Sequence, residues 1–293
     1  MTKPDWLKIR PPSGNGLTIY AGLKGTVHGM GLTTVCEEAK CPNMSECWSG
    51  GTATFMVLGK DCTRGCRFCH VRTAAKGEPL DPFEPFKLGQ AVKTFGLKYI
   101  VITSVDRDDL SDQGAGHFAK CILEVKKQNQ GILIEVLIPD FRGNTDCIDT
   151  IISAQPEVIA HNIETVKRLQ PTVRDRRANY EQSLGVLEYV KKKSPSTITK
   201  SSIMVGLGEK EEEVFEAMGD LRTKGVECLT LGQYLQPSNR HLKVSEFVHP
   251  EQFEKYKQAG LEKGFLYVAS GPFVRSSYRA GEFFIENILR GRK

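Results

Sequence analysis

Residues 52–69 read TATFMVLGKDCTRGCRFC, and two signals meet in them. Residues 52–59 form a mostly apolar run closed by glycine, as expected of a parallel strand covered on both faces. The run leads into Cys62, Cys66 and Cys69, spaced C-x3-C-x2-C with Phe68 before the last cysteine. A thiolate is a soft ligand suited to zinc or to iron and sulfide, and short spacings let one loop wrap a compact site. In parallel α/β proteins, ligands belong at the carboxyl ends of the strands, which is where this loop falls.

Further strand candidates follow at LKYIVITS (97–104), GILIEVLIP (131–139), PEVIAHNIE (156–164), TITKSSIMVGLG (197–208) and VECLTLGQYLQ (226–236). Helix-like segments separate them. Between Glu209 and Lys224, Val214, Phe215, Met218 and Leu221 keep a helical period, Glu211, Glu212, Glu216 and Asp220 can face water, and Gly225 supplies a stop. Six strand and helix units predict a parallel α/β sheet. Their number, falling between the common cases, does not decide between a closed barrel and an open sheet. Polar residues gather after the strands: Ser104, Asp106, Arg107, Asp108 and Asp109; Asn162 and Glu164; Gly206, Gly208 and Glu209. Residues 1–50 and 241–293 lie outside the repeat, giving an amino-terminal extension, a 51–240 core and a carboxyl-terminal extension.

Upstream, CEEAKCPNMSEC holds a second triplet, Cys36, Cys41 and Cys47, spaced C-x4-C-x5-C. Six of the nine cysteines thus fall between Cys36 and Cys69. An odd count in a chain expected to stay in a reducing compartment argues against a disulfide framework. Structural zinc with His70 as a fourth ligand is one reading, and free thiols are another. Iron-sulfur clusters are the third. A cubane takes four ligands and each triplet offers three, so each site would keep one position for something else. Cys121, Cys147 and Cys228 stand singly and read as small buried hydrophobes.

Composition narrows the classes. Of 293 residues, 40% are hydrophobic and 26% charged, as in globular rather than disordered chains. A net charge of +5 is too mild and dispersed for a nucleic-acid binder. No apolar run approaches the ~20 residues that span a bilayer. The first 15 residues carry no apolar core, so no secretory signal and a cytoplasmic location are expected.

The C-x3-C-x-aromatic-C pattern at the end of a first strand resembles the radical S-adenosylmethionine superfamily. That resemblance implies a partial (β/α)6 barrel, a 4Fe-4S cluster on Cys62, Cys66 and Cys69, and S-adenosylmethionine on the open iron. It also implies ribose contacts near Asn162 and Glu164, and an adenine site at the turn from Met204 to Glu209. CPNMSECW, ATFMVLGKDCTRGCRFC, TSVDRDDL and SGPFVRSSYRAGEF, with Arg275-Ser276-Ser277-Tyr278-Arg279-Ala280 near the carboxyl terminus, resemble the lipoyl synthase family over nearly the whole chain. One departure stands at Asp112-Gln113-Gly114-Ala115-Gly116, where two glycines would precede the alanine.

The family resemblance implies a second, auxiliary 4Fe-4S cluster on Cys36, Cys41, Cys47 and a serine, Ser277 rather than Ser276. It implies a sulfurtransferase: reductive cleavage of S-adenosylmethionine gives a 5′-deoxyadenosyl radical, which takes hydrogen from C6 and then C8 of an octanoyl-lysine, and the auxiliary cluster donates both sulfurs. The implied partners are octanoylated lipoyl domains of 2-oxoacid dehydrogenases and the glycine-cleavage H protein. An electron donor such as ferredoxin or flavodoxin and a cluster-repair carrier complete the list; neither nucleic acid nor membrane belongs to it. Arg174-Asp175-Arg176-Arg177 and Lys191-Lys192-Lys193 could meet an acidic carrier, or could be solvated faces. Rival readings are a biotin-synthase-like sulfur inserter, a methylthiotransferase, a zinc-knobbed nucleic-acid protein and an electron carrier.

Overall fold

In the computed structural model, which describes residues 2–8, 16–49 and 54–278, each of the six apolar runs becomes a strand with a helix after it. The described chain falls into two compact units. The first comprises residues 16–64 and 71–157, and the second residues 2–8, 65–70 and 158–278, with the undescribed positions set aside.

The first unit carries β1 (Thr33–Thr34), β2 (Thr54–Val57), β3 (Asp61–Cys62), β4 (Arg72–Thr73), β5 (Tyr99–Ser104) and β6 (Leu133–Leu137). Its helices are α1 (Gly16–Gly29), α2 (Val35–Glu38), α3 (Met44–Ser49), α4 (Glu84–Phe95), α5 (Ala115–Gln128) and α6 (Thr145–Ser153). β2, β5 and β6 pair in parallel, with Thr54 opposite Val101 and Tyr99 opposite Leu133, while β1 runs antiparallel beside β2. β3 and β4 form a separate parallel pair that carries Cys62. Local chemistry sets the helix ends. Gly96 takes the left-handed conformation after α4 (φ 59°), and the Asn144 side chain accepts from Asp146 N–H at the start of α6. α5 buries Phe118, Cys121, Ile122 and Val125 at helical spacing.

The second unit carries β7 (Val158–Ala160), β8 (Ile198–Val205), β9 (Cys228–Gln233) and β10 (Tyr267–Gly271), with α7 (Gln170–Val173), α8 (Tyr180–Lys193), α9 (Glu211–Thr223) and α10 (Pro250–Glu262). All four strands are parallel to their neighbours. Val214, Met218 and Leu221 of α9 bury against Ile203, Leu229 and Leu231. Burial of each such side chain is worth about 1.5–3 kcal/mol. Gly225 closes the helix with a left-handed backbone (φ 78°), as its position in the sequence predicts.

The fold class is α/β with mostly parallel strands. Some details differ from expectation. Beyond residue 240, β10 pairs in parallel with β9, and β1 pairs antiparallel with β2 through Phe55 and Met56. Asp220 does not simply face water, since Tyr180 Oη donates to it at 2.9 Å. Gln113, standing where glycine was expected, holds a left-handed backbone (φ 50°), and its side-chain amide donates to Phe141 O at 2.9 Å. Cys121, Cys147 and Cys228 are buried, as read from the sequence. Among the described residues no helix is long and apolar enough to cross a membrane.

Candidate iron-sulfur and cofactor site

Cys62 lies in β3, just after the β2 strand end, and its Sγ lies 3.6 Å from Asp106 Oδ2 while accepting from Arg64 N–H at 3.5 Å. The loop that follows is fastened by backbone and side chain together. Thr63 N–H and Oγ1–H both donate to Asp106 O, and Thr63 Oγ1 accepts from Asp108 N–H. Arg64, inside the C-x3-C spacing, is buried among three carboxylates. It forms a fork with Asp108 at 3.0 Å on each arm, meets Asp140 at 2.7 Å and Asp106 at 3.3 Å. These hydrogen bonds hold the guanidinium charged, whereas burial, with Asp140 and Asp108 nearby, lifts the Asp106 carboxyl to about 6 against the pull of Arg64. Arg107 is also buried, forked to Asp109 and donating to Leu58 O at 3.0 Å.

Leu58 itself is held in a left-handed conformation (φ 73°). Its N–H donates to Glu84 Oε2, which also meets His117 Nε2 at 2.7 Å. Glu84, His117 and Cys121 converge, but the carboxylate is engaged in fixing the turn at the end of β2. Nothing in the sequence marks this carboxylate or Arg64 as structural, since their partners lie between 26 and 76 residues away in the chain.

In the second unit, Cys66 Sγ accepts from Asp175 N–H at 3.3 Å, and Gly65 N–H donates to Asp175 Oδ2 at 2.8 Å. Arg177 forks onto the same carboxylate and holds it well below the usual carboxylate range. Phe68 packs with Val173, Leu207 and Tyr234, so the aromatic before the last cysteine is an apolar anchor. His241 Nε2 meets Cys69 O at 3.0 Å, and its ring stacks on His70 at 5.5 Å. Of the basic residues in the run from Arg174 to Arg177, Arg176 alone is exposed. Arg174 is buried, donating to Gln170 Oε1 and Ser183 Oγ, and Arg177 is committed to Asp175. Lys191 is similarly occupied by Pro195 O, Thr197 O and Glu227.

Asn162 and Glu164 meet beyond the end of β7, where Asn162 Nδ2 donates to Glu164 Oε1 at 3.1 Å. Burial raises the Glu164 carboxyl while Arg174 and the Asn162 amide oppose the shift. Glu164 adopts a left-handed backbone (φ 66°), a conformation that non-glycine residues hold at functional sites more often than elsewhere. Asn162 Oδ1 is buried with no hydrogen-bond partner, so a donor such as a sugar hydroxyl fits there.

Glu209 does something the sequence did not reveal: its carboxylate accepts from Gly206 and Leu207 N–H and so builds the turn it belongs to. Gly206 (φ 94°) is required there, because a Cβ would overlap the Gln233 amide and Glu246 O. Arg168 braces the same turn, donating to Gly208 O at 2.8 Å and to Glu213.

The amino-terminal triplet is wound tightly in the first unit. Cys41 N–H donates to Cys36 O at 3.0 Å, Met44 N–H to Cys41 O, and Cys47 N–H to Asn43 O. Burial pushes the Cys36 thiol up to about 11, with the Cys41 sulfur adding to the shift. Three N–H groups oppose it, from Thr54, the Trp48 indole and Cys36 itself. Such a sulfur ionises when a metal supplies the compensating charge, so the donor set fits a thiolate-bound centre. Ser276 and Ser277 are half-buried in a turn of the second unit closed by Tyr278 N–H to Arg275 O at 2.9 Å. Arg279 and Ala280 lie outside the described residues. None of the nine cysteines, all among the described residues, is in a disulfide.

The pattern that defines the Radical SAM superfamily matches residues 56–221. The chain is 58% identical over 296 residues to "Lipoyl synthase" of Halobacterium salinarum, covering 99% of this chain and 94% of that one. It is 56% identical over 295 residues to "Lipoyl synthase, mitochondrial" of Branchiostoma floridae, covering 99% of this chain and 78% of that one. Among solved structures, the FeFe-hydrogenase maturase HydG from Carboxydothermus hydrogenoformans superposes with a TM-score of 0.56 at 11% identity, covering 94% of this chain and 84% of that chain. Streptococcus suis SuiB bound to S-adenosylmethionine gives 0.57 at 7% identity, covering 78% and 54%. At such identities the likeness concerns the fold alone.

Proposed function

The chain belongs to the lipoyl synthase family of radical S-adenosylmethionine enzymes, and from that premise we propose that its two cysteine triplets hold two separate 4Fe-4S clusters. Its substrate is a protein-bound octanoyl group, and its cofactors include a 4Fe-4S cluster and S-adenosylmethionine. When bound, these groups supply a carbon-centred radical strong enough to take hydrogen from an unactivated C–H bond, together with the inorganic sulfur to be inserted.

The protein's own residues do the holding. Cys62, Cys66 and Cys69 bind the radical-generating cluster, and the N–H groups of Arg64 and Asp175 support the first two sulfurs. Asn162 Oδ1 and the Glu164 carboxylate accept the ribose hydroxyls of S-adenosylmethionine. Glu209 shapes the turn on which the adenine rests. Cys36, Cys41 and Cys47 bind the auxiliary cluster with Ser277 as the fourth ligand and Ser276 as the alternative. A serine oxygen is a hard ligand beside three soft thiolates, which suits a ligand that must let go. In this reading residues 1–50 and 241–293 are the extensions that bring auxiliary ligands to a 51–240 radical core.

The carriers we propose are octanoylated lipoyl domains of 2-oxoacid dehydrogenases and the glycine-cleavage H protein. Ferredoxin or flavodoxin would deliver electrons, a repair carrier would restore the auxiliary cluster, and the setting would be cytoplasmic. The observation that carries the two-cluster reading is the ring of N–H donors around Cys36, matched by the donors on Cys62 and Cys66.

The test is anaerobic purification with iron and sulfide counting, followed by single-turnover detection of 5′-deoxyadenosine and thiolated octanoyl peptide. Two clusters are expected in the wild type, one after loss of either triplet. Full turnover by both the Ser276→Ala and Ser277→Ala variants would overturn the releasable ligand.

A further inference from the structure

Trp48 presents a buried hydrogen-bond donor that no acceptor in the protein fully satisfies. It sits on α3 directly after Cys47, fully withdrawn from solvent, with the Tyr20 ring against it at 5.2 Å. Its Nε1 nonetheless completes no hydrogen bond, although it acts on the Cys36 sulfur. Among the described residues of the first unit, only Ser104 Oγ shares that condition. A buried donor without an acceptor costs ~1–3 kcal/mol, and each instance in a native fold calls for an explanation.

The group beside the indole N–H is the Cys36 sulfur, which also faces the N–H groups of Thr54 and Cys36. A neutral thiol is a weak acceptor, and here the geometry stops short of a bond. A metal-bound thiolate is a much better one, because hydrogen bonds to ionised groups are roughly twice as strong. We infer that Trp48 Nε1–H is the hydrogen-bond donor that completes the shell of the Cys36 sulfur in the loaded amino-terminal centre, which makes Trp48 a positioning residue for that centre. The inference rests on the reading above that Cys36 is a cluster ligand.

Two consequences follow from the chemistry of sulfur in clusters. A hydrogen bond withdraws electron density from the thiolate, so its loss makes the centre harder to reduce. It also holds the ligand in place, so its loss lets iron escape sooner. Phenylalanine could fill most of the indole's space and supply neither effect.

The test uses the full chain, reconstituted anaerobically, with Trp48→Phe and with site-specific β-(3-benzothienyl)alanine at position 48, which replaces the N–H by sulfur at nearly constant shape. Iron release to a chelator and the Fe–S stretching bands in H2O and D2O are recorded for each. Expected are a several-fold faster release of one cluster's iron in both variants, with the other cluster unaffected, and loss of a deuterium-sensitive Fe–S band. Wild-type release and bands in the benzothienyl protein would overturn the inference, as would an effect confined to Trp48→Phe, which would mark shape rather than hydrogen bonding. Cys36→Ala separates the premise. If it keeps both clusters, Cys36 is not a ligand and the earlier reading falls. If it loses one while the position 48 variants behave as wild type, only the role of Trp48 falls.

Discussion

Arg64 and Asp140 meet at 2.7 Å with both side chains out of solvent, so a cation from between two cysteines is fixed to the loop after β6. Asp106 and Asp108 share the same guanidinium. Removing it would leave three carboxylates facing one another in a dry site, which costs about 3–5 kcal/mol when a buried pair is broken. Arg64→Ala is therefore expected to lower the denaturation midpoint severely. Arg64→Lys should recover only part of the loss, because an ammonium cannot fork onto two carboxylates. Urea unfolding, with iron counting on whatever folds, checks both; a near-neutral Arg64→Ala would contradict the arrangement.

Gly232 offers a cleaner probe of the serine-bearing turn. Any Cβ there would overlap the carbonyl oxygen of Val274 and come within 3.2 Å of Arg275 Nη1, the residues that lead into Ser276 and Ser277. Gly232→Ala should cost ~1–3 kcal/mol through overpacking and displace the turn. Limited proteolysis near residue 275 should quicken, whereas Gly219→Ala, where a Cβ meets nothing within 4 Å, should leave the pattern unchanged.

Asn162 should matter for cofactor affinity more than for folding. Its buried Oδ1 awaits a donor. A hydrogen bond of this kind is worth about 1–1.5 kcal/mol, so Asn162→Ala should weaken S-adenosylmethionine binding roughly tenfold. Calorimetric titration of the reconstituted protein measures it, and an unchanged Kd would remove Asn162 from the site.

Glu213 gives a pH signature. Its hydrogen bonds with Arg168 and Lys210 N–H hold the carboxyl down at about 2. A depressed carboxylate adds stability above its unfolded pKa, and that contribution fades as pH falls through the folded value. Glu213→Gln should thus destabilise by under about 1 kcal/mol near neutrality, as exposed pairs do, with the gap from wild type steady down to pH ~5 and closing below ~4.5. Thermal unfolding at several pH values follows it; a gap that widens on acidification would refute the assignment.

Strand positions were legible because parallel strands advertise themselves as continuous apolar runs. β8 is recognisable despite burying Thr199, Lys200, Ser201 and Ser202. β10 was not legible, since YVASG is short and its last three residues are small. At the site, the cysteines announced themselves by spacing alone. Arg64, Glu84 and Trp48 did not, because what each does depends on partners distant in sequence: Arg64 reaches Asp140, 76 residues away. Arg174 misled in the same way, as a charge in a basic run that folds inward to Ser183.

That inward turn bears on how a carrier arrives. Long-range steering grows with unpaired charge and is screened over about 8 Å at physiological ionic strength. With Arg174 enclosed and Arg177 clasping Asp175, the exposed Arg176 is the one charge this stretch offers to pull on an acidic visitor, a small contribution. Added salt should hardly slow encounters at this surface, and discrimination among carriers there falls to close-range fit rather than to attraction from afar.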